Sequence, residues 1–291
     1  MTIPFISFIK KKRNEARLKR LRFGIKKEQL GLEIGPSLRP VASKKDGYNV
    51  EIIDHLGKEE LVKKYREMGL DTSKIETVDY IWDGRSYSEL TGKTDHYDYV
   101  IASHVIEHTP DLISFLRDCS SMLKTGGILS LAVPDKRYTL DHFRSVSTIS
   151  EVIDRYVSHA NLGTAGALTE YALHVCERNG RTAWSKEIDM ILPHRFDFVH
   201  SSDLTKQLYK DMTDRPSYHD IHQFVFTPSS FRLLIAELRE LELIDLDIYE
   251  FYNTVGSEFY ISMKKSRSFT PLSPVMKQSL LKKASHENMI R

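Results

Sequence analysis

Short apolar runs alternate with charged, helically spaced stretches over the first half of the chain. LGLEIG (30–35) and YNVEIID (48–54) read as two strands, each ending in a turn signal. KEELVKKYREMG between them and SKIETVDYIW is a charged helical run that ends in Gly69. SKIETVDYIW is the third strand region, and YDYVIAS (97–103) is a fourth, with little alternation, as in a strand covered on both faces. TPDLISFLRDCSSML places Leu112, Ile113, Leu116 and Met122 at helical spacing, and LKTGGILSLAVPD makes a Gly-Gly turn into a fifth strand. Strands alternating with helices imply a parallel sheet wound by right-handed crossovers. The pattern breaks over 141–222, a His- and aromatic-rich stretch of mostly helical composition. It returns in FTPSSFRLLIAELRELELIDLDIYEF and GSEFYISMKK, a capped helix followed by two alternating strands that suggest an antiparallel pair.

This divides the chain into a basic N-terminal helix (1–28), a core (29–140), an insertion acting as substrate lid or wall (141–222), closing elements of the core (223–265) and a polar, loosely held tail (266–291). Composition adds little: 41% hydrophobic, 28% charged and a net charge of +2 describe an ordinary globular chain. That balance, and the lack of a basic stripe interleaved with aromatics, argues against nucleic acid. Cys119 and Cys176 lie far apart in no metal spacing, as expected of buried thiols in a reducing compartment. No apolar run reaches the ~18–20 residues of a membrane span. Residues 8–27 carry ten Lys and Arg, beside Phe5, Ile6, Phe8 and Ile9. A solvated leader helix and a membrane-surface anchor both fit this stretch.

The strand ends carry the chemistry. Gly35 follows the first strand, where a glycine lets the backbone turn sharply toward a ligand. Asp54 lies 19 residues later at the end of the second strand, placed to accept ribose hydroxyls. Asp79 in VDYIWDG reads as the acid of the third strand, suited to an adenine amino group beside Trp82 or Tyr80, with Asp83 as the competing choice. LEIGP, VEIIDH, VDYIWDG and YDYVIASHVIEHTPDLISFLRDCSSMLKTGGILSLAVPD together resemble class I S-adenosylmethionine-dependent methyltransferases. FTPSSFRLLIAELRELELIDLDIYEFYNTVGSEFYISMKK resembles their closing helix and hairpin. The resemblance covers 29–135 and 224–265. It implies a Rossmann-like, doubly wound α/β sheet, S-adenosylmethionine as cofactor, and Glu33, Gly35, Asp54, Asp79 and Ser103 as its binding residues. One departure stands out: the second glycine of the family's G-x-G is Ser37 here, after Pro36.

His104-Val105-Ile106-Glu107-His108 has an H-x-x-E-H form. As a helix it would put His104, Glu107 and His108 on one face, where zinc is geometrically feasible. Pocket wall and helix start is the favoured reading, acid/base work by His108 comes next, and no residue is assigned to a metal, so a divalent ion stays the lesser alternative. PDKRYTLDHFR follows the fifth strand at the ligand edge. His142 and Asp135 are its candidate bases, with Arg137 and Arg144 placed for an anionic acceptor. His194 and His222 in the insertion are candidate acceptor contacts. The sequence thus reads as an O-methyltransferase acting on a small or carbohydrate acceptor. By analogy with methyltransferase-like proteins of bacterial surface-glycan synthesis, its expected place is the cytoplasm, at the inner face of the membrane. The alternatives are glycosyl transfer or hydrolysis on the same fold, or a non-catalytic scaffold.

Overall fold

The computed structural model describes residues 3–189, 195–268 and 271–289, with side chains from residue 11 onward apart from 188 and 189. In chain order the strands are β1 (Gly31–Ile34), β2 (Val50–Asp54), β3 (Tyr80–Ile81), β4 (Tyr97–Ser103), β5 (Leu123–Pro134), β6 (Cys176–Arg178), β7 (Phe196–Phe198), β8 (Leu246–Val255) and β9 (Glu258–Lys265). The helices are α1 (Ile3–Leu21), α2 (Lys58–Glu67), α3 (Tyr87–Thr91), α4 (Leu112–Met122), α5 (Ile149–Val157), α6 (Ala165–His174), α7 (Lys186–Asp189), α8 (Ser202–Asp214), α9 (Pro228–Glu240) and α10 (Pro274–Met289).

Seven strands form one sheet in the order β3-β2-β1-β4-β5-β9-β8. The first five are parallel, and β9 runs antiparallel to both β5 and β8. The order reverses between β1 and β4, so the sheet opens a crevice there at its carboxyl edge. Gly31 sits beside Val50 and Tyr99 in register. A Cβ on it would lie 1.9 Å from the Tyr99 ring, so only glycine allows that ring its place. β4 is buried along Tyr97 and Tyr99–Ala102, as its unbroken apolar run requires.

Both faces are covered. On one, α4 and α9 bring Leu112, Ile113, Leu116, Phe231 and Leu234 onto Leu32, Val100, Leu129 and Ile261. Asp111 caps α4 by accepting the Ser114 N–H, and Thr227 with Pro228 starts α9. On the other face, Leu21 and the flanking Leu18 pack with Val41, Tyr99, Ile101, Ile128 and Tyr260. The C-terminal half of α1 is therefore part of the sheet's covering layer, and the Leu21 carbonyl accepts the Ser130 hydroxyl at 2.7 Å. None of the described helices is long and apolar enough to cross a membrane. The insertion is more than helices. α5 packs on α4 and sends Val152 into the main core, α6 and α8 enclose Leu168, Met212 and Ile221, and β6 pairs antiparallel with β7. Cys119 and Cys176 are both buried free thiols.

Three expectations are corrected. The third strand shrinks to Tyr80–Ile81, so Asp79 precedes it and does not end it. The H-x-x-E-H string is not an α-helix: His104 has a left-handed backbone (φ 56°) and only Ile106–His108 form a single 3₁₀ turn. The C-terminal stretch is no loose tail, because α10 packs on α9. Glu287 accepts the Ser229 N–H and hydroxyl, both at 2.9 Å, at the N-terminus of α9, where a carboxylate meets free amide donors.

Replacing Leu21 by Ala tests the docking of α1. A buried Leu→Ala change costs about 2–5 kcal/mol, against under about 0.5 kcal/mol for a helix held in solvent. The expected loss in denaturant unfolding is at the lower half of the first range.

Candidate active site

The crevice at the switch point holds a cavity of about 400 Å³, walled by Arg17, Gly35, Ser37, Ser103, His104 and Glu258 among others. Each wall comes from a different element: the turn after β1, the end of β4, the start of β9 and the body of α1. Gly35 has φ 63°, and a Cβ there would approach Val105 Cγ2 to 3.2 Å, so the turn is built for glycine.

A chain of charges closes the cavity. Arg17 donates to Glu258 through Nε (2.8 Å) and to the Ser103 hydroxyl through a terminal nitrogen (2.6 Å). His104 Nε2 meets the other Glu258 oxygen at 2.6 Å, and Tyr260 donates its hydroxyl to Glu258 at 3.0 Å. His104 Nδ1 lies 3.3 Å from Glu107 Oε1. Burial alone would lower the pKa of His104, but the hydrogen bonds and charges of Glu107 and Glu258 outweigh it and raise it to about 9. Burial likewise pushes Glu258 up, and the His104 and Arg17 contacts overcome that and pull it down to about 2. At neutral pH the network therefore alternates in sign: Arg17 and His104 are cationic and Glu258 anionic on the wall, with anionic Glu107 buried beside His104.

The expected cofactor residues divide. Gly35 and Ser103 line the cavity. Glu33 is buried behind it, accepting the N–H groups of Val41 (2.6 Å) and Ala42 (2.8 Å), and burial raises its pKa to about 7. Asp79 accepts the Ile52 N–H and pairs with Lys44, away from the crevice. Asp54 does end β2, but it is 2% exposed and its oxygens are already engaged. They accept the Ser37 N–H (2.9 Å), the Ser37 hydroxyl (3.2 Å), and the His55 N–H and Nδ1 (2.8 and 2.6 Å). Ser37 reaches over Asp54 with φ 43°, which a non-glycine residue adopts only at some cost.

A family model for the methyltransferase domain matches residues 8–182, more than half of the chain. The chain belongs to that methyltransferase family. The match includes Arg17 of α1 and runs into the insertion. No curated sequence matches the methyltransferase. Solved structures similar to it include an S-adenosylmethionine-dependent methyltransferase, described as a possible histamine N-methyltransferase, from Thermotoga maritima (12% identity, TM-score 0.40, 87% of this chain and 89% of that one). Others come from Methanosarcina mazei (13%, TM-score 0.43, 84% and 95%) and Aquifex aeolicus (12%, TM-score 0.41, 87% and 89%). At such identities and scores the likeness says nothing about substrate.

The family implies S-adenosylmethionine. The methyltransferase's cavity suits one half of that molecule: the Gly35 turn and Ser103 offer close backbone approach, and Arg17 offers a cation. The other half would have to reach Asp54, which Ser37 covers. The fit is good at the amino-acid end and needs the Ser37 turn to open at the ribose.

The acceptor-side candidates are held more tightly than their sequence suggests. Asp135 is fully buried, paired with Arg137 at 2.6 Å and accepting the Thr254 hydroxyl at 2.5 Å, so it organises the loop after β5. Arg137 is engaged in that same pair. Arg144 is buried and bonds Asp141 and the His222 carbonyl, both at 2.8 Å, and Glu170. His142 stacks on Phe196 (centroids 4.8 Å apart) with Nδ1 on the Arg137 carbonyl. None of these four lines the cavity. His108 and His222 lie together on the far side of the β4 corner, rings 4.9 Å apart. His194 lies outside the described residues. The sequence reading missed Arg17 and Glu258. Arg17 is one of many cations in its helix. Glu258 had a faint signal as the acid that opens an otherwise apolar strand.

The Glu258 network stabilises the fold with a definite sign. A carboxyl depressed from about 4.5 to about 2 contributes above pH 4.5 and loses that contribution as pH falls toward 2. Between those pH values the wild type loses up to about 3 kcal/mol more than Glu258→Gln, measured as the difference of two denaturation series. Parallel curves would rule the ion-paired arrangement out.

Proposed function

We propose that this methyltransferase moves a methyl group from S-adenosylmethionine to a hydroxyl of a small or carbohydrate acceptor. The observation that carries this reading is the cavity at the β1/β4 switch point, whose wall sets the Ser37 and Ser103 hydroxyls, the Glu258 carboxylate and the Arg17 and His104 cations beside Pro36 and Leu38. Such a lining suits a molecule rich in hydroxyl groups better than an aromatic or aliphatic one. The cofactor, when bound, supplies the electrophilic methyl. The Gly35 turn and Ser103 would hold its amino-acid end, Arg17 would face its carboxylate, and Asp54 would meet the ribose once Ser37 turns away.

The chain's own residues supply alignment and exclusion of water. Glu258 is the carboxylate on the cavity wall, held in place by Arg17, His104 and Tyr260. It would accept a hydrogen bond from the acceptor hydroxyl and take up its proton as the oxygen bonds the methyl carbon and the methyl–sulfur bond breaks, leaving the neutral thioether. A surface-glycan acceptor at the inner face of the membrane is the finer form of this proposal, favoured by the basic N-terminus.

Calorimetry with S-adenosylmethionine and radiolabelled methyl transfer to a panel of sugars and glycosides test the reading. The wild type binds the cofactor, and Ser37→Gly, which frees Asp54, binds it about tenfold more tightly. Glu258→Gln retains cofactor binding and loses at least about tenfold in turnover. Absence of binding heat at millimolar cofactor for both the wild type and Ser37→Gly would end the proposal.

A further inference from the structure

Glu107 is fully buried, and neither of its carboxylate oxygens has a hydrogen-bond donor. Its nearest partner, His104 Nδ1, makes a 3.3 Å ion contact. An ionised carboxylate in that position costs several kcal/mol unless a cation faces it. The cationic His104 faces it, and two further imidazoles, His108 and His222, lie near it. One ligand atom from each of Glu107, His108 and His222 lies within 4.8 Å of the others.

One imidazole is oriented from behind. His222 Nδ1 is hydrogen-bonded to Asp141 Oδ2 at 2.5 Å, and His108 Nδ1 lies 2.9 Å from Asp220 Oδ1 without hydrogen-bond geometry. Asp141 on His222 Nδ1 holds the proton there and leaves Nε2 as the free lone pair, which is how metal-ligating histidines are ordinarily supported. Arg144 fixes Asp141 in turn (2.8 Å). The backbone holds the two halves together, since the Glu107 carbonyl accepts the N–H groups of Gln223 (2.6 Å) and Phe224 (3.2 Å).

We propose that Glu107, His108 and His222 form a binding site for one divalent transition-metal ion of the zinc type, with Asp141 as the supporting carboxylate of His222. Two imidazoles and one carboxylate leave at least one coordination position open. Tetrahedral ligands at zinc bond lengths stand about 3.4 Å apart, so the three side chains close on the ion by up to an ångström or so. Both imidazoles are partly exposed, His108 more than His222. The ion pins the insertion, through His222, to the corner after β4. The site lies behind His104 and does not depend on methyl transfer from any donor.

The test uses the full chain, stripped with chelator. Titration with Co²⁺ is followed by its visible absorption, with Zn²⁺ as competitor, and the melting temperature is recorded with and without Zn²⁺. One equivalent binds in the micromolar range or tighter, Zn²⁺ displaces Co²⁺ and raises the melting temperature, and Glu107→Gln and His222→Gln each weaken binding at least about tenfold. His108→Gln, on the more exposed turn, gives the same loss and decides the matter if the buried variants fail to fold by circular dichroism. Absence of stoichiometric binding by the wild type, or binding unchanged in His108→Gln and in the folded variants, overturns the proposal. Neither result bears on cofactor binding at the cavity.

Discussion

The ionic chain Arg17–Glu258–His104–Glu107 holds the functional edge of this methyltransferase together. It joins α1, β9 and the corner after β4, which are far apart in sequence, at the point where the sheet opens. The charges alternate, and Glu107 and Glu258 are buried enough that losing a cationic partner would leave them uncompensated. The left-handed backbone at His104 is part of this arrangement, because it lets one ring face Glu258 through Nε2 and Glu107 through Nδ1. Strain of that kind persists when surrounding contacts over-determine it.

The turn after β1 shows a second constraint. Where the family's pattern has glycine, Ser37 turns inward and seals Asp54 with two hydrogen bonds. An acid that would otherwise face the crevice becomes part of the framework, with His55 on its other side. The same principle recurs in the loop after β5, where Asp135, Arg137 and Arg144 satisfy one another and the backbone. Buried polar groups must find partners, and in this chain many candidate catalytic groups found them within the protein.

The fold was largely legible in the amino-acid pattern. Unbroken apolar runs marked β4 and β5, the spacing of Leu112, Ile113 and Leu116 marked α4, and Thr227-Pro228 marked the start of α9. These signals are local: side-chain periodicity and capping act within a few residues. Where local signals were weak, the reading drifted. Asp79 was placed at the wrong end of a strand that is only two residues long. Residues 274–289 looked like a tail because α10 depends on contacts with α9 such as Glu287 on Ser229, which no periodicity reveals.

Sequence alone determined the wound α/β architecture, the Gly35 turn and Asp54 at the end of β2. Only tertiary structure decided which charged groups reach the cavity. Arg17 became a wall of the cavity because α1 lies across the sheet, and Glu258 because the closing hairpin brings β9 beside β5. Glu107, His108 and His222 met because the insertion folds back over the β4 corner. Whether a carboxylate binds a ligand or its own protein depends on distances across the fold, and those are set by packing of elements that the chain separates by a hundred residues or more.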